Sequence, residues 1–306
     1  MRAMPLPFAL VAALSVSTAA CDKSRSDSIA LMNEAVQKEG LGEMELAYAL
    51  YARSAKTDPT NHRALYQMAI IEFFDKQEPA RALERLKAAE ALVPDDRDVL
   101  YQLGRYYATL EKPDHDKAMA DLDRALAADP NYAPAMYYKG VCLAGKNDAN
   151  GADAALREAI AMDPKYAPAW RDLADLYARF DQQTAAVEVY RRGLEYADDT
   201  QELYNGLGLL EMDNGNTKDA ILYFTKATEQ NSERSDVVFN LAMAYVAVDD
   251  TKAAFRYLGE YLNRAGTDNP ENVKVARLLR ASVLDRLQKE RSEAPVGGET
   301  PPTNTP

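Results

Sequence analysis

The segment that comes nearest to a chemical motif runs from Gly140 to Asn147. Its residues, Gly-Val-Cys-Leu-Ala-Gly-Lys-Asn, differ at one position from the phosphate-binding loop G-x-x-x-x-G-K-[ST]. That loop needs a preceding strand, free backbone N–H groups and a hydroxyl that binds Mg²⁺. Here Asn147 replaces the hydroxyl residue, no strand is predicted before Gly140, and Gly145 and Lys146 are predicted to end a helix. The segment therefore does not predict a nucleotide site.

Histidine and cysteine are too scarce to suggest a metal centre or an active site. The chain has 2 His and 2 Cys, and His62 and His115 lie far apart in the sequence. None of the motifs H-E-x-x-H, C-x-x-C, G-x-S-x-G or G-x-G-x-x-G occurs. Cys142 is interpreted as a small, buried, apolar residue of a helix. We therefore expect a protein that is not an enzyme, with no cofactor and no metal.

The charge of the chain excludes a further class of partner. Asp and Glu total 48 against 36 Lys and Arg, which gives a formal net charge of -12. An acidic surface repels phosphate backbones, so a nucleic-acid partner is not expected.

The first twenty residues have the pattern of a targeting segment. Arg2 precedes an uncharged run at residues 3–20 that ends in small residues, as in a cleaved secretory signal peptide. Thr-Ala-Ala-Cys at 18–21 resembles the lipobox of bacterial lipoproteins, which implies that Cys21 becomes a lipidated N-terminus. Each buried acyl CH₂ adds about 0.8 kcal/mol, so two or more chains, palmitate among them, anchor a protein stably. A secreted protein with no lipid, or an uncleaved membrane anchor, are the alternatives.

The residues after this cysteine carry no apolar side chain as far as Ser28. Residues 21–27 are therefore predicted to be the lipidated cysteine and a short flexible tether. The implied location is the bacterial cell envelope, with the protein lipid-anchored and facing the periplasm. The choice between inner and outer membrane stays open.

An internal repeat with a period of 34 residues organises the rest of the chain. Trp170-x2-Leu173-Ala174-x2-Tyr177 aligns with Leu-x2-Leu-Gly-x2-Tyr from residue 100 and with Val-x2-Leu-Ala-x2-Tyr from residue 238. A second apolar stripe follows in each unit, and a proline closes four of the units. These residues resemble the tetratricopeptide repeat, whose pattern is W-x2-L-G-x2-Y, then A-x3-F, then P.

The resemblance implies an all-α fold, a right-handed α-solenoid of about seven helix hairpins with a C-terminal capping helix. A small residue at the eighth position of each unit lets the paired helices approach closely, and stacking of neighbours supplies stability. The repeats are predicted over residues 28–264, the capping helix over 269–290 and a disordered tail over 291–306. Units are predicted to start near Ser28, His62, Arg97, Ala133, Ala167, Gln201 and Ser235.

In the tetratricopeptide family the first helix of each hairpin lines a concave groove that binds an extended peptide or a partner helix. The family pattern places positions 5, 9 and 12 of each first helix in that groove. Tyr66, Tyr101 and Tyr137 are the predicted main contact surface, because aromatic anchors dominate binding energy. The alternative is that they only pack between neighbouring first helices. The full set of predicted groove residues is Tyr66, Ile70, Phe73, Phe74, Tyr101, Arg105, Tyr137, Arg171, Asn205 and Phe239.

Together these features predict a lipid-anchored protein–protein interaction scaffold of the bacterial envelope. Its predicted partner is a peptide or helix of another envelope protein, in the assembly of an envelope or pilus complex, and it is similar to pilotin-type lipoproteins. The alternatives are a soluble adaptor or co-chaperone without an anchor, and a protein that binds a small ligand. The Lys and Asn pair that some co-chaperones use at positions 5 and 9 occurs in no unit, which argues against a co-chaperone.

Overall fold

The computed structural model describes residues 8–230, 234–264 and 269–293, with side chains from residue 22 onward. Over these residues the chain forms fifteen α-helices and no strand, so the predicted all-α class is confirmed. The helices are α1 Phe8–Gly40, α2 Met44–Thr57, α3 His62–Phe74, α4 Pro79–Leu92, α5 Arg97–Thr109, α6 His115–Ala128, α7 Ala133–Gly145, α8 Ala149–Met162, α9 Ala167–Arg179, α10 Gln183–Tyr196, α11 Gln201–Asp213, α12 Thr217–Gln230, α13 Ser235–Ala247, α14 Thr251–Arg264 and α15 Pro270–Glu293.

From α3 onward, the first helix of each hairpin begins where the repeat pattern starts a unit, whereas α1 begins at Phe8, before the predicted start near Ser28. The caps of α3 and α5 explain their starts. The side chains of Asn61 and Asp96 accept hydrogen bonds from backbone N–H groups at the starts of α3 and α5. Such a cap satisfies donors that have no partner inside the helix. Helices α7 and α9 carry a proline in the first turn, where its fixed φ and missing N–H are favourable.

The turn inside most hairpins contains one residue in the left-handed backbone region. A residue in the left-handed region directly after a helix turns the chain so that backbone N–H groups can donate hydrogen bonds to the last carbonyl groups of the helix. Asn147 is one of them, with φ of 63°, so the segment from Gly140 is the end of α7 followed by a turn. The residues with positive φ are Gly42, Gln77, Asn147, Asp181, Gly215 and Asp249.

The described helices form two compact units that divide within α8, the first ending at Ala155 and the second beginning at Leu156. In the first unit α1 packs on α2, α3 on α4 and α5 on α6. In the second unit α9 packs on α10, α11 on α12 and α13 on α14. Adjacent hairpins also contact one another within each unit. Each unit is therefore a row of helix hairpins, as the repeat predicts.

The small residue at the eighth position has the predicted role. A Cβ on Gly104 would lie 2.5 Å from Cγ of Leu122, and a Cβ on Gly208 would lie 2.6 Å from Cε1 of Phe224. Both partner side chains are fully buried on the second helix of the hairpin. The absence of a side chain at these glycines is what lets the two helices approach.

Helix α15 covers the end of the second unit. It packs on α14, and Ala276 and Val283 are buried in a cluster against which Leu279 and Leu287 also pack. The predicted capping stripe therefore faces the core. Residues 294–306, most of the predicted tail, lie outside the described residues.

Helix α1 corrects the interpretation of residues 22–27, which are helical rather than a flexible coil. The physical reason is a set of polar contacts that hydropathy does not detect. Ser28 is fully buried and its hydroxyl donates to the Ser54 carbonyl at 2.9 Å. Asn61 Nδ2 donates to the Ser28 hydroxyl oxygen at 3.0 Å. The side chain of Cys21 lies outside the described residues. Among the described residues, no helix has both the length and the apolar character of a membrane span.

Candidate partner-binding faces

In the first unit, aromatic contacts connect the first helices α3, α5 and α7. The ring of Phe73 on α3 lies 5.7 Å from the ring of Tyr106 on α5. The ring of Tyr101 on α5 lies 5.8 Å from the ring of Tyr138 on α7. These rings form a layer of side chains that spans three helices and includes the predicted groove residues Phe73 and Tyr101.

The structure corrects the predicted ladder of three tyrosines. Tyr101 is 8% exposed and Tyr137 is 6% exposed, whereas Tyr66 is half-buried. The ring of Tyr101 lies 5.3 Å from that of Tyr132 and packs edge-on to it, and burial raises the pKa of Tyr101 to about 12. Tyr101 thus fills the space between α5 and α7, because its ring is large enough to reach from one helix to the next. Tyr137 is buried as well, so neither side chain offers a large exposed surface.

The exposed part of this layer centres on Arg105. Its guanidinium carbon lies 4.3 Å from the ring centre of Phe74, which is 41% exposed, and 5.7 Å from the ring centre of Tyr138. Among the described residues its buried Nε has no hydrogen-bond partner. Aromatic rings attract a guanidinium through their negative faces but leave its N–H groups able to donate. We call Tyr66, Ile70, Phe74, Arg105 and Tyr138 the Arg105 face.

Sequence reasoning missed Tyr138 and did not foresee the packing of Phe73. Tyr138 occupies position 6, which the family pattern does not assign to the groove; the adjacent tyrosine pair in the sequence was the available signal. Phe73 is half-buried and packs against the core of the second hairpin. It supports the exposed ring of Phe74, whose centre lies 4.9 Å away.

In the second unit, the corresponding positions of α9 and α11 line a polar cavity of about 290 Å³. The hydroxyl of Tyr190 donates to the carboxylate of Asp175, and burial raises the pKa of Asp175. The missing side chain of Gly206 leaves room for that hydroxyl. We call this the Asp175 cavity; its lining includes Arg171, Asp175, Tyr190, Glu202, Asn205, Gly206 and Asp213.

Acidic groups outnumber basic ones in the Asp175 cavity. Arg171 pairs with the adjacent Asp172 at 2.8 Å, and Glu202 pairs with Arg234. Asp213 is exposed at the edge of the cavity. Its carboxylates complement a Lys or Arg side chain, so this cavity differs in chemistry from the Arg105 face.

Two other predicted groove residues of the second unit are engaged by the chain itself. Asn205 is 9% exposed, and its Oδ1 accepts a hydrogen bond from Asn240 Nδ2 at 3.0 Å. Phe239 is half-buried, with its ring 5.0 Å from that of Tyr261 on α14. Phe239 therefore packs toward the second helix of its hairpin, and part of its surface stays exposed.

The comparison with known families decides what these hairpins are. The family model described as Tetratricopeptide repeat matches residues 68–133, 110–167, 143–201 and 205–270, more than half of the chain. The chain belongs to the tetratricopeptide repeat family. The tetratricopeptide fold is typically a non-catalytic scaffold, and proteins of this family bind peptides or other proteins.

Solved structures share the tetratricopeptide fold with this chain. A tetratricopeptide repeat protein from Parabacteroides merdae is 18% identical, with a TM-score of 0.61 over 71% of this chain and 84% of its own. Pseudomonas aeruginosa pilF is 15% identical, with a TM-score of 0.55 over 69% of this chain and 94% of its own. A thermophilic tetratricopeptide protein of Thermus thermophilus is 21% identical, with a TM-score of 0.53 over 60% of this chain and 99% of its own. At these identities the likeness concerns the fold alone. A search of curated protein sequences found no match.

Proposed function

We propose that this tetratricopeptide protein is a lipid-anchored scaffold of the bacterial cell envelope that holds a peptide or helix of another envelope protein on its first helices. Assembly of an envelope or pilus complex is the proposed setting. The Arg105 face is the proposed primary contact surface. The Asp175 cavity is proposed to take a basic side chain of a bound segment.

The observation that carries the proposal is the combination of an exposed ring and a cation at the Arg105 face. Phe74 offers apolar area, and Arg105 offers N–H donors to a carbonyl or carboxylate of the partner. The contacts of Arg105 with Phe74 and Tyr138 hold the guanidinium in place before a partner arrives. A side chain ordered in advance loses less entropy on binding, and Tyr and Arg are enriched among residues that dominate interfaces.

The anchor is proposed from the lipobox resemblance at Cys21, and helix α1 supports a defined geometry for it. Ser28, seven residues after Cys21, is fixed on α2 by its buried hydrogen bonds. Seven helical residues span about 10 Å. A lipid on Cys21 would therefore hold the first unit close to the membrane surface.

Site-specific photo-crosslinking in cells tests the contact surface. A benzophenone amino acid replaces Phe74 in one variant and Leu92 of α4 in another; the two side chains are 41% and 39% exposed. We expect one discrete crosslinked partner from position 74 and none from position 92. Arg105→Gln should lower the yield about tenfold, because a charge-assisted hydrogen bond contributes about 1.5–3 kcal/mol. Equal crosslinking from both positions, or a yield that Arg105→Gln leaves unchanged, would refute this surface.

Metabolic labelling with palmitate tests the anchor separately. We expect label in the wild-type chain and none in Cys21→Ser, which should move from the membrane pellet to the soluble periplasmic fraction. A soluble adaptor without an anchor is the second candidate. It is supported instead if the wild-type chain takes up no label and fractionates with the cytoplasm.

A further inference from the structure

The second unit contains another cavity, of about 330 Å³, between α8, α9 and α10. Its size falls in the lower part of the range of ligand pockets, about 300–1,000 Å³. Its walls combine apolar side chains with two arginines. They include Arg157, Ile160, Trp170, Val189, Arg192 and Tyr196, and we call it the Trp170 cavity.

The apolar wall of the Trp170 cavity is built to a fixed shape. Trp170 is 5% exposed, and its Nε1 donates to the Pro164 carbonyl at 2.8 Å. A Cβ on Gly193 would lie 2.8 Å from the Trp170 Cβ, so the glycine is what admits the indole. Because the indole N–H is already satisfied, the ring presents only apolar surface to the cavity. Tyr196, 51% exposed, lies nearly parallel to the indole at a centroid distance of 6.2 Å.

The charge at the rim of the Trp170 cavity is opposite to that of the chain. Arg157 and Arg192 are both exposed, and none of the described residues that line the cavity is acidic. The guanidinium of Arg192 lies 5.9 Å from the Trp170 ring, and among the described residues it takes part in no ion pair. In a chain of net charge -12, this is a local positive site beside an apolar one.

The Trp170 cavity opens on a different side of α9 from the Asp175 cavity. Successive helical residues are rotated by about 100°, so residues 170 and 173 face away from Arg171 and Asp175. The two cavities share no lining residue. A ligand of the Trp170 cavity would therefore bind independently of one on the first-helix face.

We propose that the Trp170 cavity is a second docking site, which binds an acidic segment of a partner protein. One aromatic or aliphatic side chain of that segment enters the cavity against Trp170 and Val189. A carboxylate beside that side chain binds Arg192, whose guanidinium lies 5.9 Å from the Trp170 ring, while Arg157, which donates to the Tyr177 hydroxyl, adds positive charge at the rim. This site goes beyond the proposed function, since it does not depend on the Arg105 face.

Intrinsic fluorescence provides a direct assay, because Trp170 is the only tryptophan of the chain. The probe is the peptide acetyl-Glu-Glu-Phe-Glu-Glu-amide, titrated into the full chain at constant ionic strength. We expect a saturable change in Trp170 emission. The analogue with lysine in place of every glutamate should produce no change over the same concentrations.

Two substitutions on α10 separate the cavity from general charge effects. Arg192→Gln should raise the Kd of the acidic peptide about tenfold, as expected for loss of a charge-assisted hydrogen bond. Arg191→Gln removes the same charge from a neighbouring residue that does not line the cavity, and should leave the Kd within about twofold. Far-ultraviolet circular dichroism checks that both variants are folded.

The proposal is overturned by any of four results. These are no saturable change at millimolar peptide, equal binding of the lysine analogue, equal weakening by Arg191→Gln, and the same emission change with inorganic phosphate alone. Phe74→Ala should leave the peptide's Kd unchanged. Failure of the Arg105 face in crosslinking and failure of this site would therefore be seen in different experiments.

Discussion

Replacement of Gly208 by alanine tests the close approach of paired helices that the whole repeat relies on. The new Cβ would lie 2.6 Å from Cε1 and 2.7 Å from Cδ1 of Phe224. The Phe224 ring is 0% exposed, so it has no open space into which it can turn. Either the ring or the helix α11 must shift for the methyl group to fit.

Two effects of opposite sign determine how much Gly208→Ala changes the free energy of unfolding. Alanine is favoured over glycine inside a helix by about 1 kcal/mol, whereas overpacking of a closely packed core costs about 1–3 kcal/mol. We expect Gly208→Ala to lower the free energy of unfolding by about 1 kcal/mol. Helices α13 and α14 of the same unit pair Ala242 with Leu258 in one core cluster. That pair shows that an alanine at this position is compatible with a leucine opposite it.

A double-mutant cycle follows from this comparison. In a Phe224→Leu background, Gly208→Ala should lower the free energy of unfolding by less than it does in the wild type, because the smaller leucine can move aside for the methyl group, as Leu258 does opposite Ala242. Urea unfolding of the full chain is followed by circular dichroism and by Trp170 fluorescence, which reports on the same unit. Gly40→Ala is the control, since a Cβ there meets nothing within 4 Å. If Gly208→Ala has the same effect in both backgrounds, the contact with Phe224 does not set the helix spacing and the reasoning is wrong.

Two further predictions concern buried groups. Burial raises the pKa of Asp175 above its ordinary value of 3.8, so the folded chain binds the carboxyl proton more tightly than the unfolded chain does. The stability that the protonated carboxyl contributes is therefore lost as the pH rises from 3.8 through the raised pKa of the folded state. Asp175→Asn should therefore unfold at higher urea than wild type at pH 7, with a difference that shrinks on acidification; a constant difference would contradict this. Cys142 is fully buried, which raises the pKa of its thiol to about 11. In a Cys21→Ser chain, Ellman's reagent should react roughly a hundredfold more slowly without urea than with it, and similar rates would show that the thiol is accessible.

Much of the fold could be predicted because the same helix starts and the same helix contacts recur in each repeat. The starts of α3, α5, α7, α9, α11 and α13 coincide with the starts of the repeat pattern. Glycine at positions 104 and 208 predicted close helix pairs. The facing side chains, Leu122 and Phe224, lie 18 and 16 residues later, because the turn between α5 and α6 is two residues longer than that between α11 and α12. The contacts between paired helices join residues that are close in the sequence, so a contact predicted in one unit can be compared with the equivalent contact in the next unit.

The N-terminal segment shows where such reasoning fails. Residues 22–28 contain no apolar side chain, and their polarity suggested a tether. The structure continues α1 through them because the hydroxyl groups of Ser28 and Ser54 lie 2.8 Å apart in a buried contact. Burial of polar groups that satisfy one another leaves no hydrophobic period for a sequence pattern to detect.

The sequence by itself determined the hairpins, the starts of the first helices from α3 onward and the set of helix positions from which a binding face is made. Only the tertiary structure decided which of those side chains a partner could reach. Tyr101 and Tyr137 have the residue type of binding anchors, yet both are buried, whereas Phe74 is exposed and Arg105 is partly exposed. The exposure of a side chain depends on what the adjacent repeat places beside it. That neighbour lies a full repeat away in the chain, and the period of the repeat carries no information about its size or direction.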